Sequence, residues 1–190
     1  MIVIENTPNP NALKFIPKQF SIDKTYRFTS IKEAERSTLA YRIFNLDGIA
    51  EVFFGMDFIS ITVQDVKFWP QIRPVIIAYI TEYLASEMPI ISKDYQESSD
   101  VKITDSSDYD GQEAELVEQI IDVINDRVRP AVAMDGGDIQ FCYYKDSIVY
   151  LQLSGACAGC PSADITLKQG IERMLMYYFP EIQGVEQVLE

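Results

Sequence analysis

Residues 151–164 read LQLSGACAGCPSAD, and this stretch carries two thiols where a predicted strand gives way to a predicted helix. Gly155 ends an alternating apolar run, and Pro161 stands where the first residue of a helix tolerates a missing N–H. Cys160 therefore falls at or beside the N-cap, where free amides and the positive end of the helix dipole favour a thiolate. Because a soft metal ion prefers thiolate ligands, we interpret Cys157 and Cys160 as candidate metal ligands.

This pair supplies only half of an ordinary coordination sphere. Tetrahedral zinc sites and iron–sulfur clusters usually take about four protein ligands. The chain has one other cysteine, Cys142, and no histidine. Either a second copy of the chain completes the site, or the pair does not bind a metal. The lack of histidine also excludes Ser-His-Asp and Cys-His nucleophiles.

The composition is that of a soluble globular protein, with 190 residues of which 47% are hydrophobic and 24% charged. A formal net charge of −13 would repel a phosphate backbone or an anionic lipid surface, so we expect no nucleic-acid partner. We find no signal-like leader and no apolar run of about 18 residues, which predicts no membrane association. An odd cysteine count of three favours a reducing compartment, either the bacterial cytoplasm or, for a processed eukaryotic form, the mitochondrial matrix.

Residues 1–86 are predicted to form a small α+β domain with the order ββαββα and its helices on one face of an antiparallel sheet. Pro and Asn residues at 7–11 predict a turn, and Asp47-Gly48 predicts the end of the first helix. The predicted elements are a strand near Ile2, a strand at 12–16, a helix at 32–46, strands at 49–54 and 58–63, and a helix from Trp69 to about Ser86.

Residues 87–111 are rich in Ser, Asp and Glu, which predicts a flexible acidic linker. The alternative is that Val101 and Ile103 dock as a short strand. Residues 112–190 then predict a second α+β domain with the order αββαβ. Its elements are a helix at 113–129 that Pro130 stops or bends, a glycine turn at 134–138, strands at 139–144 and 148–153, a helix from Pro161 to Pro180, and a strand at 185–189.

Both halves resemble known proteins through long motifs. The second half resembles the C-terminal domain of NifU, because CAGCPSA at 157–163 stands between a strand and TLKQGIE at 166–172, with DGGD upstream at 135–138. The first half resembles the N-terminal domain of the Nfu-type iron–sulfur cluster scaffold proteins through TPNPNALKFIP at 7–17. The one departure is Ala163, where that family commonly has a second serine. Together the two resemblances cover nearly the whole chain.

The resemblance implies a protein that assembles or carries a 4Fe-4S cluster, with Cys157 and Cys160 as its ligands, and that is not an enzyme. Our hypothesis is that two chains meet as a homodimer around one cluster and that each gives two thiolates. Iron–sulfur apo-proteins would receive the cluster, and upstream assembly proteins would supply it. We expect both thiols to be exposed in a loop near solvent.

Two other functions remain open at this stage. An inter-chain Cys₄ zinc site has the same ligand count, and the spacing does not exclude it. A thiol–disulfide oxidoreductase also uses Cys-x-x-Cys at the start of a helix, although its usual βαβ surroundings are missing here. We interpret Cys142 as a small buried hydrophobe, with a third cluster ligand as the alternative, and Asp135 and Asp138 as parts of a turn rather than an acidic metal site.

Overall fold

A computed structural model of the chain describes residues 1–86, 88–92, 104–158 and 161–188, with 161–166 described by their backbone alone. The chain divides into two units, Met1–Glu97 and Ser98–Glu190, and each has its own hydrophobic core. This confirms the predicted pair of α+β domains. Among the helices of the described ranges, none is long and apolar enough to cross a membrane.

The first unit is a five-stranded antiparallel sheet, in the order β1-β2-β5-β4-β3, packed against helices. Its elements are β1 (Ile2–Asn6), β2 (Ala12–Pro17), β3 (Tyr26–Phe28), α1 (Ile31–Ala34), α2 (Thr38–Phe44), β4 (Ile49–Phe54), β5 (Ile59–Val63) and α3 (Trp69–Ala85). The strands predicted at 49–54 and 58–63 are confirmed, and they pair antiparallel as β4 and β5.

Two details of the first unit differ from the prediction. The short edge strand β3, which pairs with β4, was not predicted. The helix predicted at 32–46 is divided into α1 and α2, because the chain offers two N-caps. Ser30 accepts a hydrogen bond from the Glu33 amide, and Ser37 accepts one from the Ala40 amide, so each serine starts a helix of its own.

The second unit has a three-stranded sheet, in the order β6-β7-β8, with helices against one face. Its elements are α4 (Gly111–Val123), a π-helical segment (Ile124–Val128), α5 (Arg129–Met134), β6 (Gly137–Lys145), β7 (Ile148–Gly155), α6 (Pro161–Tyr178) and β8 (Gly184–Gln187). Strands β6 and β7 pair antiparallel, and β8 runs parallel to β7 after the α6 crossover. The order αββαβ is thus confirmed.

Pro130 does not end the first helical stretch of this unit. The chain passes from α4 through the π-helical segment directly into α5, and Pro130 lies in the first turn of α5, where no N–H is needed. The apolar residues of this stretch face the core: Val117, Ile120 and Ile124 are each at most 1% exposed.

The last residues of the predicted linker form hydrogen bonds with the second unit. Thr104 is buried, and its amide and hydroxyl both donate to the Cys142 carbonyl, at 2.7 and 3.0 Å. The Tyr109 hydroxyl accepts from the Tyr144 amide at 2.7 Å and donates to the Tyr144 carbonyl at 3.1 Å. Residues 104–109 therefore cover the outer edge of β6, because that edge offers backbone groups that need partners. Val101 and Ile103, the proposed docking residues, lie outside the described residues.

The Tyr109→Phe variant tests this cover. Removing the hydroxyl leaves the Tyr144 amide and carbonyl without their partner, so we expect the second unit to lose about 1–3 kcal/mol of unfolding free energy. Urea unfolding followed by circular dichroism measures the loss. The fluorescence of Trp69, the single tryptophan, reports on the first unit and should not shift.

Tyr177→Phe is the matched control, because the Tyr177 side chain is 82% exposed. Equal stability of the Tyr109→Phe and Tyr177→Phe variants would show that the edge cover contributes nothing.

Candidate metal centre

Cys157 lies in the turn that follows β7. Gly155 ends the strand with a φ of 69°, a conformation that glycine adopts without strain, and its carbonyl accepts a hydrogen bond from the Ala158 amide at 3.0 Å. Helix α6 then begins at Pro161, as predicted. Cys160, the other predicted ligand, and Gly159 lie outside the described residues.

The Cys157 side chain is buried, which contradicts the expectation of an exposed thiol. It is 4% exposed and belongs to the core of the second unit, together with Val132, Ile139 and Leu153. The alternation of β7 explains this position: Leu151 and Leu153 point into the core, and the turn at Gly155 brings the next apolar side chain back onto it.

Gly137 provides the space that the sulfur occupies. A Cβ atom built at Gly137 would lie 2.7 Å from Cys157 Sγ and 2.7 Å from the Ser154 carbonyl oxygen, closer than carbon atoms approach either group. Gly137 is therefore required by the close approach of the sulfur and not by its own φ. The two segments are also joined through the Gly136 carbonyl, which accepts a hydrogen bond from the Ala156 amide at 3.0 Å.

The glycine turn at 134–138 is confirmed in part. Gly136 has a φ of 82°, the left-handed conformation that the turn was predicted to need. Gly137 is already the first residue of β6 and pairs with Gly155. The two adjacent glycines thus have different roles, one in the turn and one beneath the sulfur.

Asp138 forms an ion pair that was not predicted. Arg129 donates from Nε to Oδ1 at 2.7 Å and from Nη2 to Oδ2 at 2.8 Å, a bidentate geometry. The hydrogen bond to Asp138 raises the pKa of Arg129. Asp138 also accepts from the Ile139 amide, so its carboxylate is used by the protein itself. Helical spacing and charge counts gave no signal for this pair, because its partners lie on different elements.

Cys142 is fully buried on β6, and burial raises the pKa of its thiol to about 11. It stands five residues beyond Gly137 on the same strand, which at about 3.3 Å per residue places the two about 16 Å apart. A buried, protonated thiol at that distance from Gly137, the residue that Cys157 Sγ contacts, does not suit a third ligand. The structure therefore favours the structural interpretation of Cys142.

The described residues contain no group of three or more Cys, Asp, Glu or His side chains that could hold a metal ion. Of the two cysteines of the motif, the described ranges contain Cys157, and Cys160 lies outside them. The described side chains of one chain therefore do not supply the remaining ligands of the metal site predicted at Cys157 and Cys160.

Two family models match the chain and together cover most of it. One is described as "Scaffold protein Nfu/NifU N terminal" and matches residues 2–87. The other is described as "NifU-like domain" and matches residues 120–186, which include the predicted ligands. The two matches fall on the two units of the fold.

Full-length relatives are similar over the whole chain. A human protein named "NFU1 iron-sulfur cluster scaffold homolog, mitochondrial" is 40% identical over 192 residues, which is 100% of this chain and 72% of that protein. A protein of the same name from Drosophila willistoni is 39% identical, and the chain spans 64% of its length. A solution structure of a NifU-like protein from Saccharomyces cerevisiae covers 50% of this chain and 86% of its own, at 33% identity and a TM-score of 0.44.

The Gly137→Ala variant tests the close approach. Because the added Cβ would overlap the sulfur and a carbonyl, we expect the second unit to lose about 1–3 kcal/mol of unfolding free energy. Circular dichroism during urea unfolding measures this change, with Trp69 fluorescence as the reference for the first unit.

Gly170→Ala is the matched control. Nothing lies within 4 Å of a Cβ at Gly170, and alanine in a helix is favoured over glycine by about 0.5–1 kcal/mol. The two variants should therefore shift stability in opposite directions, and a shift in the same direction would contradict the packing described here.

Proposed function

The chain belongs to the Nfu-type, NifU-like family of iron–sulfur cluster scaffold proteins, and we propose that it holds a 4Fe-4S cluster between two copies of itself and delivers it to apo-proteins. Cys157 and Cys160 of each copy are the proposed ligands. The cluster is cargo in this proposal, and no substrate is turned over. The chain spans 64% of the length of the Drosophila willistoni protein and 72% of that of the human protein.

The ligand count is the observation that carries the proposal. A cluster takes about four protein ligands, and thiolate is the usual one. The chain offers one Cys-x-x-Cys pair and no histidine, and the described residues add no metal-binding group of three. A two-fold axis through the cluster would place two such pairs around it and satisfy the count.

Shared ligation suits delivery. A cluster with only two anchors on each chain is held less securely than one enclosed by four ligands of a single chain. Thiolates of a recipient protein can replace the Cys157 and Cys160 sulfurs one at a time as the two copies separate. The recipients and the upstream assembly proteins therefore meet the protein at this loop.

The first unit has a separate role in this proposal. Family membership extends over both units, but the predicted ligands lie in the second alone. We assign to residues 1–86 the control of access to the cluster or the binding of recipients.

The zinc and oxidoreductase alternatives are less well supported. Neither agrees with the scaffold names of the relatives. The expectation that βαβ surroundings are missing was wrong, because β7, α6 and the parallel strand β8 form such a unit with the motif at its first junction. The names of the relatives, and not the fold, therefore count against the oxidoreductase. Of the two compartments expected from the sequence, the mitochondrial one is that in the relatives' names.

Anaerobic reconstitution with iron and sulfide tests the proposal. We expect about four iron and four sulfide per two chains, together with a doubled mass in solution. Cys157→Ser and Cys160→Ser should each abolish stable loading, because either change removes two of the four ligands from the dimer. Cys142→Ala is the matched control and should load normally.

Three outcomes would contradict this function. They are a loaded monomer, full cluster retention in the Cys157→Ser, Cys160→Ser double variant, and zinc as the bound ion after native purification. Catalysed disulfide reduction by the iron-free monomer would favour the oxidoreductase instead.

Deleting residues 1–86 tests the division of roles. The second unit has its own core and the proposed ligands, so we expect the shortened chain to bind the same amount of iron. Transfer of the cluster to an apo-protein should change in rate. Loss of iron binding by a folded second unit would contradict this assignment.

A further inference from the structure

The Arg129–Asp138 ion pair is connected to the proposed ligand Cys157 through the two residues that flank Asp138. Asp138 follows Gly137, the residue on which Cys157 Sγ packs, and precedes Ile139, a core neighbour of the same cysteine. The Asp138 carboxylate has both oxygens bonded to one guanidinium, at 2.7 and 2.8 Å, and a third hydrogen bond from the Ile139 amide. These bonds fix the first residues of β6 relative to α5.

The Arg129–Asp138 interaction is stronger than that of a fully exposed ion pair. The Asp138 side chain is 10% exposed and that of Arg129 33%, so solvent screens the interaction only in part. A planar guanidinium that meets a carboxylate through two bonds also restrains orientation, which a single contact does not. Breaking the pair would remove both guanidinium hydrogen bonds from a nearly buried carboxylate.

The π-helical segment contributes to the placement of this arginine. Arg127, inside that segment, packs over the Tyr178 ring at the far end of α6, at 5.3 Å from the ring centroid. Arg129, two residues later, begins α5 and reaches Asp138. The two arginines thus tie the same turn to α6 and to β6, and π-helical turns are frequent where a helix serves a site.

The position of the sulfur gives this pair a function. A thiolate that is shared with a second chain has to leave the core, yet Cys157 is 4% exposed against Gly137. We propose that Arg129, through Asp138, is a positioning residue that holds Gly137 over the Cys157 sulfur and keeps this ligand covered until the pair opens. The value of covering Cys157 rests on its proposed role as a cluster ligand. The contacts that cover it do not depend on that role.

Alkylation of the iron-free chain tests the inference. In a Cys160→Ser background, iodoacetamide labelling of the tryptic peptide 146–168 reports on Cys157 alone, and labelling of the peptide that ends at Lys145 reports on Cys142. When local opening is fast, the labelling rate follows the population of the open form. We expect Arg129→Met to increase the Cys157 rate about tenfold or more and to leave the Cys142 rate unchanged. Arg129→Lys keeps the charge but not the bidentate geometry, so its Cys157 labelling rate should lie between those of the unmodified Arg129 chain and the Arg129→Met variant.

Arg27→Met is the matched control in the first unit. Arg27 pairs with Glu51 at 3.1 Å, and the carboxylate side chain there is likewise 10% exposed. This variant should leave the Cys157 rate unchanged. An unchanged Cys157 rate in Arg129→Met, or equal increases at Cys157 and Cys142, would overturn the positioning role, because the second result indicates global unfolding.

The two proposals fail separately. The alkylation experiment contains no iron, so its failure leaves cluster loading by the unmodified chain untouched. If alkylation behaves as expected and the unmodified chain takes up no iron and sulfide, the positioning role stands and the scaffold function is overturned.

Discussion

The close approach of the Cys157 sulfur to Gly137 is the constraint on which the second unit depends. It requires glycine at 137, a positive φ at Gly136 to bring the chain over the sulfur, and a strand end at Gly155 that returns the cysteine to the core. Each of these features is local, but together they join α5, β6 and β7 at one point. The proposed metal ligand is thus a packed core residue first, and its chemistry is added to that role.

Much of this architecture could be predicted from the sequence, because the signals were short-range. Alternation marked β7, helical periodicity marked α4, and Pro161 marked the start of α6. The motif containing Cys157 was placed correctly between strand and helix. In each case the residues that decide the element lie within a few positions of one another.

The features that were missed depend on contacts between distant positions. Nothing near Tyr26 predicts that three residues will pair with β4, and nothing near Arg129 predicts a partner nine residues later across a turn. Serine and aspartate at 104–110 suggested a solvated linker, although Thr104 and Tyr109 find partners on β6. The burial of Cys157 was also missed, because a cysteine in a glycine-rich turn has no periodic pattern that reveals its side.

The Thr104–Tyr109 cover has a further consequence for association. An open sheet invites other chains to extend it, since unpaired edge amides are templates for cross-β aggregation. Here the β6 edge is occupied by the chain itself, and the opposite edge strand, β8, has four residues and a Glu186–Lys168 ion pair. Strand addition by another chain is thereby disfavoured at both edges of this sheet, which lowers the hazard of irreversible fibre growth.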